Sequence, residues 1–224
     1  MTRLSPRLAA LGVAGIAAIA AGIGTAASGA VAAAAARVAV SKSLVGTFRI
    51  TAGRYAGGKA GGSFLRMVLP GGGKYFDNPD SRSPDKSYTL IGPGGQGGLA
   101  TGRYQPNPSP VFDANGDARV NAIMSPQSFD GIAFSVASVA KNPQTGAKNP
   151  VPSIRLTGDT LSGQVDAVTA EWNGQYFAQG SSSVKGRYNP RTRAFLLTWS
   201  SPISGGPFNG FTGSWHLQGT FVPS

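Results

Sequence analysis

Beyond Val40 glycine and proline interrupt the chain so often that no stretch keeps a helical period for three turns; the sequence holds 33 glycines and 16 prolines in 224 residues. What recurs between the interruptions is alternation with period two, the pattern of a half-buried strand. In LVGTFRI, Leu44, Gly46, Phe48 and Ile50 share one face and Thr47 and Arg49 take the other. In DARVNAIM, Ala118, Val120, Ala122 and Met124 alternate with Arg119 and Asn121, and in RAFLLTWSS, Phe195, Leu197 and Trp199 line one side opposite Leu196, Thr198 and Ser200. Shorter runs at SFLRMVL, SYTLI, GIAFSVASV, SIRLTG and GQVDAVTAEW bring the expectation to about nine or ten strands. PGGGKY, PGGQGG, DANGD, NPQTG and YNPRT supply the turn chemistry between them. No crossover segment is long enough for a parallel sheet, so the fold expected is all-β: one antiparallel sandwich or barrel over residues 44–224.

The first residues follow a different grammar. Arg3 and Arg7 precede an apolar run from Leu8 to about Ile23, and small residues including Ala30-Val31-Ala32 come next. This is the order of a secretory signal peptide, assigned to residues 1–33, with a flexible linker at 34–43. An uncleaved anchor helix is the competing reading, and the fading hydrophobicity where alanines take over favours cleavage. The expected location is therefore secreted or attached to the cell envelope, with no stable membrane span after cleavage.

Absence of cysteine removes disulfides, thiol nucleophiles and thiolate metal sites, so an apolar core must carry the stability. Without Arg3 and Arg7 the basic residues number 18 against 9 acidic ones, leaving a net charge of +9. That charge suits an anionic envelope polymer or lipid as partner. The cations are scattered, the tightest group being Lys185, Arg187, Arg191 and Arg193, and no nucleic-acid motif accompanies them.

The last segment, GGPFNGFTGSWHLQGTF, contains the only histidine, His216. Trp215, Leu217, Gly219 and Phe221 alternate with His216, Gln218 and Thr220, which reads as a strand with aromatics inward and the histidine on the polar face. GTF occurs at 46–48 and again at 219–221, and the expectation is that these first and last strands are neighbours. Three G-R-Y triplets, at 53, 102 and 186, are unequally spaced and read as a repeated strand-end turn rather than a solenoid.

Ten of the 20 aromatic residues fall between Trp172 and Phe221, so a contiguous aromatic core or surface must lie in that half. Core packing is the default. WNGQYF and PFNGF nevertheless set aromatics beside amides and glycines, a combination suited to stacking on sugar rings. The candidate contact groups are Trp172, Tyr176, Phe177, Phe208 and Phe211, with Asn173, Gln175 and Asn209 as polar partners. A binding role without catalysis, toward envelope glycan or lipid-like material, is the leading expectation.

An alternative hydrolase or lyase would use Asp166 or Glu171 with His216, but the two acids lie five positions apart, which sets them on opposite strand faces unless the chain bulges near Ala167 and Val168. FDANGDA spaces Asp113, Asn115 and Asp117 like calcium ligands, yet Gly116 is misplaced and no bidentate glutamate follows at the required distance, so a hairpin turn is favoured. G-x-S-x-G and phosphate-cradling loops are missing, and no metal or other cofactor is expected. A membrane-associated β-barrel ranks lower, because most runs are shorter than a membrane-spanning strand.

GKYFDNPDS, YTLIGPGGQGGLATGRYQPNP, WNGQYF and GGPFNGFTGSWHLQGTF together resemble a family of uncharacterised exported actinobacterial proteins. The resemblance covers most of the chain after the leader. It implies export and a single domain, and brings no substrate or catalytic residue with it.

Overall fold

The computed structural model describes residues 40–224, so the segments read as signal peptide and most of the linker lie outside the described residues. Its strands are β1 (Ser41–Leu44), β2 (Gly46–Ile50), β3 (Arg54–Ala56), β4 (Lys59–Gly61), β5 (Phe64–Val68), β6 (Thr89–Leu90), β7 (Gly98–Thr101) and β8 (Gln127–Phe129). The second half adds β9 (Ile132–Ser138), β10 (Ser153–Thr157), β11 (Thr160–Gln164), β12 (Val168–Trp172), β13 (Gln175–Ala178), β14 (Val184–Tyr188), β15 (Ala194–Pro202) and β16 (Thr212–Pro223). Among the described residues there is no helix. Pairing already begins at Ser41, inside the segment read as linker.

The fold is all-β and antiparallel. Ten strands form one sheet in the order β1-β10-β11-β14-β15-β16-β2-β7, with β5 and β6 joined to it through β16. Only Val45 separates β1 from β2, yet β1 pairs β10 at one end of this path and β2 pairs β16 near the other. The sheet is thereby rolled into a nearly closed barrel, which leaves few strand edges open.

The two GTF segments account for this closure. Phe48 lies directly opposite Phe221, with ring centroids 4.8 Å apart. The glycine of each triplet sits where the partner backbone comes closest: a Cβ on Gly46 would strike the Val222 carbonyl and one on Gly219 the Arg49 carbonyl. Phe195 meets Phe48 edge-on at 5.0 Å, so three phenylalanines fill this part of the barrel.

A second sheet, β13-β12-β9-β8, packs on the inner face of the first. Val168, Ala170 and Trp172 of β12 and Phe134 and Val136 of β9 meet Leu65, Met67, Trp199 and Trp215 of the main sheet in one core cluster. The Trp199 and Trp215 rings stack 5.6 Å apart. Their indole N–H groups both donate to buried Gln179, Trp199 to its carbonyl at 2.9 Å and Trp215 to its side-chain oxygen at 3.2 Å.

Every residue of β12 is buried, because the chain between β7 and β8 covers its second face. Gln105 exchanges backbone hydrogen bonds with Ser138, Ala118 N–H donates to the Ala133 carbonyl, and Phe112 packs on Tyr176 at 5.3 Å.

Three local expectations need correction. DARVNAIM keeps its buried positions at Ala118, Val120, Ala122 and Met124, but it is a covering segment with isolated bridges at Ala118 and Met124 and not a strand. GQVDAVTAEW is not one strand: Asp166 and Ala167 form a turn between β11 and β12, which belong to different sheets. The G-R-Y triplets share no structure, since Arg54-Tyr55 opens β3, Arg103-Tyr104 follows β7 and Arg187-Tyr188 lies within β14.

Candidate functional site

The aromatic residues picked from WNGQYF and PFNGF mostly serve the core. Trp172, Phe177 and Phe208 are 7%, 5% and 7% exposed. They border an apolar cavity of about 40 Å3, too small for more than a solvent molecule. Trp172 donates its indole N–H to the Phe129 carbonyl at 2.8 Å and packs on Phe208 at 5.1 Å. Phe211 is half-buried against Phe208 and Phe76, and Tyr176 rests on Phe112.

Their polar companions are spent on backbone geometry. Asn173 and Gly174 have φ of 49° and 68°, the two left-handed positions of a tight hairpin turn joining β12 to β13. Asn209 accepts from the Gly205 N–H at 2.9 Å and holds the β15–β16 loop. Gln175 is exposed at the end of β13.

Asp166, Glu171 and His216 do not converge. Asp166 is half-buried on its turn, and burial raises its carboxyl above the ordinary value. Glu171 is fully buried on the face of β12 that looks away from the core, while His216 lies on the outer face of β16. The tryptophan-lined core separates the last two.

Burial pushes the Glu171 carboxyl well above the usual carboxylate range, and the neighbouring Asn107 amide acts weakly in the opposite direction. Both Glu171 oxygens and Asn107 Oδ1 lack hydrogen-bond partners, so a neutral acid, able to donate, suits this position. FDANGDA is a turn in which Asp113 Oδ1 accepts from the Asn115 and Asp117 N–H groups at 2.8 and 3.1 Å.

The outer face of the main sheet offers a different site. A groove of about 580 Å3 is lined by Phe64, Arg66, Tyr75, Tyr88, Lys185 and His216, with a floor of serine and threonine hydroxyls. Strand alternation builds it. On β5 and β16, Leu65, Met67, Trp215 and Leu217 turn inward, so Phe64, Arg66, Ser214 and His216 must turn outward.

Aromatic surfaces run continuously along one side. The His216 imidazole stacks on Phe64 at 4.4 Å with planes 9° apart, Phe64 meets Tyr88 edge-on at 5.1 Å, and Tyr88 continues to Tyr55 at 6.0 Å. Burial lowers the His216 pKa below 6.5, and a contact with Gln218 offsets part of that, so the ring is neutral at physiological pH.

Arg66 lies between Tyr75 and Tyr88. The 76–87 loop draws these tyrosines together: Asn78 Nδ2 donates to Thr89 Oγ1 at 3.0 Å, and Asn78 N–H donates to the Lys86 carbonyl at 2.9 Å. Arg66 Nη2 donates to Ser87 Oγ at 3.0 Å, and Ser87 in turn donates to Asp85 Oδ2 at 2.6 Å. The Ser87 bond is the largest cause holding Asp85 below the ordinary carboxylate value, so the charge of Arg66 is balanced at one remove.

Sequence reasoning found His216 here and missed Arg66, Tyr75, Tyr88 and the role of Lys185. The alternation of FLRMV was a signal for Arg66 facing outward. Nothing local in the sequence pairs Tyr75 with Tyr88.

No family model, curated protein or solved structure matches the chain.

Proposed function

We propose that the protein is a non-catalytic binding domain for cell-envelope glycan, which it takes in the outer groove. The observation that carries this reading is the aromatic run Tyr88–Phe64–His216 beside a floor of hydroxyls, in an open groove sized for a few sugar units. Sugar rings present C–H faces that pack on aromatic surfaces and hydroxyls that exchange hydrogen bonds with Ser and Thr side chains. The lining contains one imidazole and no carboxylate, so the acid–base pair that glycoside cleavage requires is not assembled there.

The leader-like amino terminus supports delivery to the envelope. Outward-facing polar residues on the barrel strands, including Arg49, Arg155, Lys185 and Gln218, favour water over lipid around the barrel.

Calorimetric titration of the purified protein with envelope polysaccharides tests the reading. Binding is expected, without new reducing ends, and Phe64→Ala combined with Tyr88→Ala should weaken it about tenfold or more. Absence of binding at millimolar glycan, or affinity unchanged in the double variant, would refute it.

A further inference from the structure

The register of the main sheet sets the groove residues in straight rows. Lys185 of β14 is paired with Thr198 of β15, Thr198 with His216 of β16, and His216 with Phe64 of β5. The adjacent row runs from Ser200 through Ser214 to Arg66. Directly paired residues share a sheet face, so both rows stand on the outer surface, opposite the buried row Trp199–Trp215–Leu65.

The two cations therefore occupy opposite ends. Three interstrand steps and one row separate Arg66 from Lys185, which is about 15 Å at the backbone. Hydroxyls and the neutral imidazole fill the interval, and no carboxylate is among the lining residues. Among the described residues the only salt bridge joins Arg187 to Asp159, so Lys185 is not paired with an acid.

We infer that the ligand is a linear polyanion laid across the strands, with one acidic group at Arg66, a second at Lys185, and uncharged hydroxyls over the serine and threonine floor between them. This rests on the glycan reading above and adds charge, direction and minimum length to it. A planar guanidinium held by two rings favours an oriented, two-point contact with an oxyanion, whereas exposed Lys185 supplies a mobile point charge. The shared chemistry is an oxyanion repeated along a polyhydroxy chain, carried either as sugar carboxylates or as phosphodiesters.

Two probe ladders separate these sources: galacturonate oligomers and glycerol phosphate oligomers, each as dimer and hexamer, with a neutral glucan hexamer as control. Titrated into the full-length protein, the hexamer of at least one anionic ladder should bind about tenfold tighter than its dimer. Lys185→Ala should abolish that gain, bringing the affinity for the hexamer down to that for the dimer. Arg66→Ala should weaken dimer and hexamer together, with Arg66→Lys recovering only part of the loss. Melting curves of each variant verify folding.

A neutral hexamer binding as tightly as the anionic ones would overturn the polyanion inference while leaving the glycan reading intact. The same holds if Lys185→Ala shifts dimer and hexamer alike or changes neither. Failure of every glycan, charged or neutral, would remove both.

Discussion

The guanidinium carbon of Arg66 sits 3.1 Å from the centroid of the Tyr75 ring, and Tyr88 flanks it on the other side at 4.3 Å. The cation is thus fixed by tyrosines at the two ends of the 76–87 loop, whose closure depends on Asn78. Asn78→Ala removes the side-chain bond to Thr89, keeps the backbone bond to Lys86, and lies outside the groove lining. It should cost about 1–3 kcal/mol in chemical denaturation, because the buried Thr89 hydroxyl loses its partner. It should also weaken glycan binding about threefold to tenfold by separating the rings, as read by titration.

Gln179→Leu addresses the core beneath the groove. The substitution keeps the carbonyl that Trp199 uses and removes the side-chain oxygen that Trp215 uses. A buried indole N–H is left unsatisfied, at a cost of about 1–3 kcal/mol by urea unfolding. Trp215→Phe in the Gln179→Leu background should add less than it does alone, since the two residues form one unit.

Much of the fold was readable from alternation. LVGTFRI, RAFLLTWSS and the carboxyl-terminal segment turn the expected side chains inward, and the GTF echo marked the strands that close the barrel. DARVNAIM misled because a segment lying over a sheet also buries alternate residues, while its backbone hydrogen bonds go to isolated partners rather than a ladder. The site was less legible. In WNGQYF the Asn-Gly pair specifies a hairpin turn, which explains the amide without any ligand and directs Trp172 into the core. Arg66, Tyr88 and Lys185 are far apart in the chain, and only the sheet register makes them neighbours.

Gly219→Ala tests the closure of the barrel. Its Cβ would collide with the Arg49 carbonyl, a backbone atom that cannot move without parting β16 from β2. A loss of several kcal/mol is expected, about that of a large core truncation, together with faster amide exchange at Thr51, whose N–H donates to the Gln218 carbonyl of β16. Thr220→Ala, one position along and exposed, should be nearly neutral.

Stability should depend on pH through two groups of opposite sign. His216 has a folded pKa below 6.5, so the unfolded chain binds its proton more readily, and stability present above pH 6.5 declines as pH falls toward the folded value. Glu171 has a folded pKa well above 4.5, so the native state holds the proton longer, and stability present below pH 4.5 declines as pH rises through the folded value. Glu171→Gln should therefore raise the melting temperature at neutral pH and flatten the alkaline side of the profile. His216→Phe should flatten the acidic side. Melting curves from pH 4 to 9 would check both.

The central claim is that ligand lies on the outer face of the barrel, and amide chemical-shift mapping with an anionic hexasaccharide tests it most directly. Shifts are expected at Lys185, Thr198, Ser214 and His216, with Asn173, Gln175 and Asn209 unmoved. Shifts confined to residues 173–177 and 205–211, or none at saturating sugar, would contradict the account.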